Sequence, residues 1–138
     1  MRMKHQALLV LIFILALVGA CSESPLGPST VVGETWQLVS LQKAGSTAVA
    51  VDNPSRYTVT FGDDGQLSLK SDCNSCRSSY SLTGSTLTVQ ALACTKAFCG
   101  TASLDTPFSS ALAQARTVTR DDDEMTIRSE DAIARFKR

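Results

Sequence analysis

"YTVTFGDDGQLSLK", residues 57–70, is the stretch whose reading decides the fold. Tyr57, Val59 and Phe61 alternate with polar neighbours, the period of two that marks a half-buried strand. Gly62-Asp63-Asp64-Gly65 interrupts the alternation with turn residues, and Leu67 and Leu69 then resume the same apolar face. The stretch therefore predicts an antiparallel hairpin with one face to bury.

Similar runs lie on both sides. In "TWQLVSLQ", residues 35–42, Trp36, Leu38 and Ser40 fall on one face, with Val39 and Leu41 on the other. "YSLTGSTLTV", residues 80–89, predicts a second hairpin: Tyr80 and Leu82, a turn at Thr83-Gly84-Ser85, then Leu87 and Val89. One helix interrupts the series, in "DTPFSSALAQAR", residues 105–116. Phe108, Ala111, Leu112 and Ala115 recur at helical spacing, with Thr106 read as N-cap and Pro107 at the first helical position. "RTVTR", "EMTIRS" and "AIARFK" return to strands separated by acidic turns. The pattern amounts to about eight short strands, with the helix inserted before the last three.

The N-terminus has a different character. A basic start, Met1-Arg2-Met3-Lys4-His5, precedes the unbroken apolar run "ALLVLIFILALV", residues 7–18. At ~1.5 Å per residue this helix is too short for a hydrocarbon core of ~30 Å, so it reads as a secretory signal peptide over residues 1–20. Its end, "LVGAC", residues 17–21, resembles a bacterial lipobox, which makes Cys21 the expected lipidation site and the first residue of the processed chain. "SESPLGPSTVVG", residues 22–33, reads as a flexible tether behind that lipid, with the folded domain expected over 34–138. If the host is Gram-negative, Ser22 after the lipid cysteine resembles an outer-membrane address. The expected location is thus a membrane surface facing the periplasm.

Composition narrows the function. The processed chain of 118 residues loses Arg2 and Lys4, leaving 11 basic residues against 13 acidic ones. That balance offers no basic field for nucleic acid. The only histidine is His5, which leaves with the signal. Without it no Ser-His or Cys-His pair and no imidazole metal ligand is available. Ser75, Ser78 and Ser79 carry hydroxyls but have no activating base. We expect no catalytic residues, no metal and no cofactor.

Four cysteines remain once Cys21 is assigned to lipid: Cys73 and Cys76, then Cys94 and Cys99. The spacing admits two disulfides, a four-thiolate zinc site, or a redox-active C-x-x-C. An oxidising envelope compartment favours disulfides. C-x4-C is loose for zinc, and the flanks of the first pair look like a loop feeding a strand, not the helix start a redox pair needs. Three pairings of the four remain open at this point.

The order of these features resembles the META domain, also called HslJ-like, of bacterial envelope lipoproteins. The resemblance runs through Trp36-x-Leu38, Phe61-x-x-Asp64-Gly65, Cys73-Asn74, Tyr80 with Gly84 and Leu87, Thr95-x-x-x-Cys99, Phe108-x-x-x-Leu112 and Phe136-x-Arg138. Ser79 stands where a glycine is usual, and Ala97-Phe98 replaces the apolar-Ala pair before the second family cysteine. Cys76 and Cys94 are additions to the pattern. The resemblance therefore implies the pairing Cys73–Cys99, with the two additional cysteines Cys76–Cys94 joined to each other. It also implies a mainly β (α+β) fold, an antiparallel sheet curled into an open small barrel with one packed helix.

No reaction is implied by the family. Its members are linked to stress and envelope integrity, which suggests a non-enzymatic module with envelope proteins as partners. The fold implied is also similar to that of pilot lipoproteins, so a carrier of an apolar ligand or acyl chain is the alternative. For that carrier Trp36, Tyr57, Phe61, Tyr80, Phe108 and Phe136 would line a cavity; otherwise they are core. Asp121-Asp122-Asp123-Glu124 lacks the alternation and glycine of a calcium loop and reads as a solvated turn, as does Asp63-Asp64. Asn74 reads as a structural residue of the cysteine turn.

Overall fold

The structure is a computed structural model, and it describes residues 31–138. Ten strands form one antiparallel sheet: β1 (Thr35–Lys43), β2 (Val49–Ala50), β3 (Tyr57–Phe61), β4 (Gln66–Ser71), β5 (Asn74–Thr83), β6 (Thr86–Val89), β7 (Ala93–Cys94), β8 (Ala115–Asp121), β9 (Glu124–Ser129) and β10 (Ala132–Lys137). Among the described residues a single α-helix, α1 (Asp105–Ala113), precedes the last three, as the periodicity predicts. Among the described residues no helix is long and apolar enough to cross a membrane.

The sheet order is β10-β9-β8-β6-β5-β4-β3-β1, and β1 pairs back onto β10 from Gln37↔Lys137 to Lys43↔Ala132. Eight strands thus close a ring, while β2 and β7 lie outside it on β1 and β5. The small barrel and its one helix are what the family resemblance implies, and the β1–β10 pairing closes the ring. An eight-stranded barrel is just wide enough for side chains to fill. Here Trp36, Phe61, Phe108, Phe136, Leu38, Leu67, Leu87 and Leu112 are all fully buried in it.

The hairpin at residues 57–70 forms with Phe61 opposite Leu67 and Val59 opposite Leu69. Gly65 has φ +77°, a left-handed turn conformation that glycine adopts without a Cβ penalty. The Asp64 carboxylate accepts the Gln66 N–H at 3.0 Å to complete the turn.

Three local expectations change. In β1 the pairing register shifts between Leu38 and Ser40, a β-bulge at Val39. One extra residue reverses the in-out phase, so Leu41 joins Trp36 and Leu38 in the core instead of facing away. The helix begins at Asp105, with Leu104 at the N-cap and no side-chain cap, so Thr106 is not the cap. Pro107 still lies within the first turn, where its missing N–H has no intrahelical partner. Finally, the fold starts before Glu34. Val31 is 1% exposed and accepts the Trp36 indole N–H at 3.0 Å, and Gly33 N–H donates to Phe61 O at 2.8 Å. Residues 31–33, expected within the tether, are held to the barrel by the Trp36–Val31 hydrogen bond and by the contacts of Val32 and Gly33 with Phe61. The signal peptide, Cys21 and the tether up to residue 30 lie outside the described residues.

Candidate functional site

The two ends of the barrel differ. Chain enters at the end where Val32 bridges Phe61. At that end Arg120 and Arg138 lie over the Trp36 ring, 5.2 and 6.0 Å from its centroid. The acidic stretch is the β8–β9 turn there, as expected, with Asp122 at φ +49° and Asp123 paired to Arg138. Arg138 donates to Asp123 and holds its carboxyl below the usual range; the same contact raises Arg138 further. Tyr80, whose hydroxyl donates to Gly62 O at 2.6 Å, has its pKa raised by burial, then by Asp64 and Asp63.

The opposite end carries the cysteines. Ser71 and Asn74 pair across a two-residue turn in which Asp72 takes φ +59°. Both disulfides are formed: Cys73–Cys99, with Cα atoms 5.5 Å apart, and Cys76–Cys94, with Cα atoms 4.0 Å apart between facing residues of β5 and β7. The four sulfurs are consumed in bridges, so neither the zinc nor the dithiol arrangement is present. Together the bridges clip residues 94–99 as a strap beside the barrel end. Among the described residues no group of histidine, cysteine or carboxylate side chains is placed to hold a metal.

Asn74 is the keystone of the strap. Its Oδ1 accepts the Ala97 N–H at 2.8 Å and the Thr95 hydroxyl at 3.0 Å. Its Nδ2 donates to Ala97 O at 3.0 Å and to Asp105 Oδ2 at 2.9 Å. An amide has two donors and one two-lone-pair acceptor, so the capacity of this buried group is used in full. This explains why Cys73-Asn74 and Thr95-x-x-x-Cys99 occur together: Thr95 also receives the Ser75 N–H at 3.0 Å.

A second polar bridge, which the sequence reading missed, ties the helix to the hairpins. Leu104 N–H donates to the Tyr57 hydroxyl at 3.0 Å, which donates to Asp72 Oδ2 at 3.1 Å. Arg56, half exposed, pairs with the other oxygen of this buried carboxylate. Asp72 and Asp105 sit in unremarkable positions of the sequence, and only the packing gives them partners.

Five of the aromatic candidates are core, and Tyr80 is half-buried against it. Tyr57 meets Phe108 edge-on at 5.9 Å, Phe108 meets Phe136 at 6.0 Å, and Phe61 meets Tyr80 at 5.0 Å. Ser78 is tied down, donating to Gln90 O at 2.9 Å, while Ser75 and Ser79 are exposed on β5. Among the described residues one aromatic is left outside: Phe98, on the strap between the two bridges, is 85% exposed, and the other large exposed apolar residue there is Val49 on β2, at 52%.

A small closed antiparallel barrel, with one helix packed on it and a disulfide-clipped strap at one end, is the class that this geometry defines. The META domain family model matches residues 29–138, and the chain belongs to that family. Two solved structures share the fold. One, determined by NMR, is of a protein from Burkholderia xenovorans, 23% identical, covering 87% of this chain and 94% of its own, with a TM-score of 0.64. The other is a crystal structure of a DUF4847-family protein from Bacteroides vulgatus, 15% identical, covering 79% of this chain and 94% of its own, with a TM-score of 0.58. At such identities the likeness extends to the fold alone. No curated protein matches the chain.

Proposed function

We propose that this protein is a lipid-anchored, non-enzymatic interaction module of the bacterial cell envelope, held by acylated Cys21 and presenting the strap end of its barrel to an envelope protein. The observation that carries the reading is Phe98. A phenylalanine left in water forgoes about 2 kcal/mol of burial. This one stands on a segment fixed by both disulfides and by Asn74. An exposed ring on an ordered support loses little further freedom when a partner covers it.

The lipobox resemblance supports the anchor, and the other four cysteines are taken up in the two bridges. Two or more acyl chains, at ~0.8 kcal/mol per buried CH₂, make such anchoring lasting. The lack of histidine beyond His5 supports a non-enzymatic role, and the family's association with stress and envelope integrity supports the setting. The close-packed interior weighs against a carrier of acyl chains, since an occupant would have to displace Phe108 or its neighbours.

The test is a photo-crosslinking amino acid at position 98, with one at exposed Thr119 as control, in cells of the native host. The expected result is a specific protein adduct from position 98 and none from 119. No adduct at 98, or adducts to phospholipid alone, overturns the interaction module. Intact mass of the envelope-purified protein tests the anchor: a mass without acyl chains removes Cys21 from this reading.

A further inference from the structure

Two hollows flank Phe98 and share Asp105 and Thr106 in their walls, but a lysine lines only one of them. The larger, about 400 Å³, includes Lys96 in its wall. The smaller, about 170 Å³, is lined by Phe98, Gly100, Ser103, Asp105 and Thr106 among others, with no lysine or arginine. Asp105 is half-satisfied: Oδ2 accepts from Asn74, and among the described residues Oδ1 has no hydrogen-bond or ion-pair partner.

We propose that the smaller hollow receives a lysine or arginine side chain from an extended partner polypeptide, with Phe98 beneath the cation and Asp105 Oδ1 accepting its N–H. This deepens the interaction-module reading and rests on it. A ring face attracts a cation through its quadrupole, and a carboxylate beside it adds a charge-assisted hydrogen bond. The positive end of α1 and the nearby Lys96 oppose a cation here. The full charge of Asp105 exceeds the roughly half charge of the helix terminus, and Lys96 lines only the other hollow. An anionic group would meet the carboxylate unpaired, which selects against acidic partners. Placement agrees as well. Residue 31 enters beside Phe61, at the opposite end of β3 from Tyr57 and the Asp72–Cys73 turn. The hollow therefore lies at the barrel end away from the point where the chain enters.

The test is an NMR titration of the disulfide-bonded, detergent-solubilised full chain with two capped pentapeptides, Thr-Val-Arg-Val-Thr and its citrulline counterpart. Amide shifts at Phe98, Gly100, Ser103 and Thr106 report binding. The arginine peptide is expected to bind roughly three- to tenfold more tightly than the citrulline one. Phe98→Ala, Asp105→Asn and Thr106→Lys should each erase most of that difference. Thr106 is exposed, so Thr106→Lys adds a repelling charge while leaving Asp105 and its Asn74 contact in place. Equal binding of the two peptides, or indifference to both charge variants, overturns the cation assignment. If position 98 still crosslinks a protein in that case, the interaction module stands and only its partner chemistry falls. If neither peptide shifts these amides and position 98 crosslinks nothing, both fall.

Discussion

Asn74 grips the backbone of Ala97 from both sides, accepting its N–H at 2.8 Å and donating to its carbonyl at 3.0 Å. A side chain on β5 thereby imitates a strand partner for a segment that pairs with the sheet at only two residues of β7. The strap owes its shape to this amide as much as to the bridges.

Replacing Asn74 should therefore be costly. Asn74→Ala leaves the Ala97 amide groups and the Thr95 hydroxyl without their partner, and we expect a loss of about 2–4 kcal/mol in urea unfolding. Asn74→Asp should fare no better, because a carboxylate cannot donate and would face Asp105. Amide exchange at Ala97 should quicken in both. A loss below about 1 kcal/mol would show that the bridges alone hold the strap.

Tyr57→Phe keeps the ring against Phe108 and removes only the hydroxyl. Asp72 Oδ2 then loses its donor and the Leu104 N–H its acceptor, at the start of α1. About 1–3 kcal/mol of destabilisation is expected, with exchange at Leu104 rising before that of the barrel strands. Unchanged stability would mean that water replaces the hydroxyl at no cost.

The two disulfides should open in order. Cys73 is exposed, whereas Cys76 is 2% exposed. Graded dithiothreitol followed by alkylation and mass analysis should trap a species reduced at Cys73–Cys99 and still closed at Cys76–Cys94. The bridges close 26- and 18-residue separations. Serine replacement of either pair should cost about 3–4 kcal/mol, and of both together less than the sum, because the loops are nested. Reduction of the inner bridge first would contradict this order.

Acidification should weaken the chain-entry end. Asp123 is held below its ordinary value of 3.8, chiefly by its hydrogen bond from Arg138. A carboxyl depressed on folding contributes stability that is in full force above 3.8 and is lost as pH falls through the lower folded value. A carboxyl NMR titration should find Asp123 below 3.8, and Arg138→Gln should return it towards that value. High salt should do part of the same, since the pair is open to solvent. An Asp123 midpoint unmoved by Arg138→Gln would remove the pair as its cause.

What the sequence made legible was whatever repeats at short range. Tyr57, Val59, Phe61, Leu67 and Leu69 alternate, and all five are core. Phe108, Ala111 and Leu112 repeat at helical spacing and are buried on α1, whereas Ala115, read on the same stripe, is buried at the start of β8 because the helix ends at Ala113. The bulge at Val39 was invisible because nothing in "QLVSLQ" marks an extra residue; only the opposing β10 shows it. Ring closure was equally hidden, since it depends on Leu38 meeting Phe136 across nearly the whole domain. The site divided in the same way. Cys73, Cys99 and Asn74 carry a family pattern, but Asp72, Asp105 and the exposed ring of Phe98 acquire meaning only from three-dimensional neighbours.

The pairing of β1 with β10 also sets a timetable. A chain leaving the ribosome or a translocation pore presents Trp36 and Leu38 long before Phe136 exists. Until then β1 has β3 on one flank and an open row of backbone groups on the other, a ready template for misplaced strands. The barrel is in this sense a clasp fastened by its last stitch, so its folding should be slow to complete and most in need of a holding chaperone just before β10 arrives.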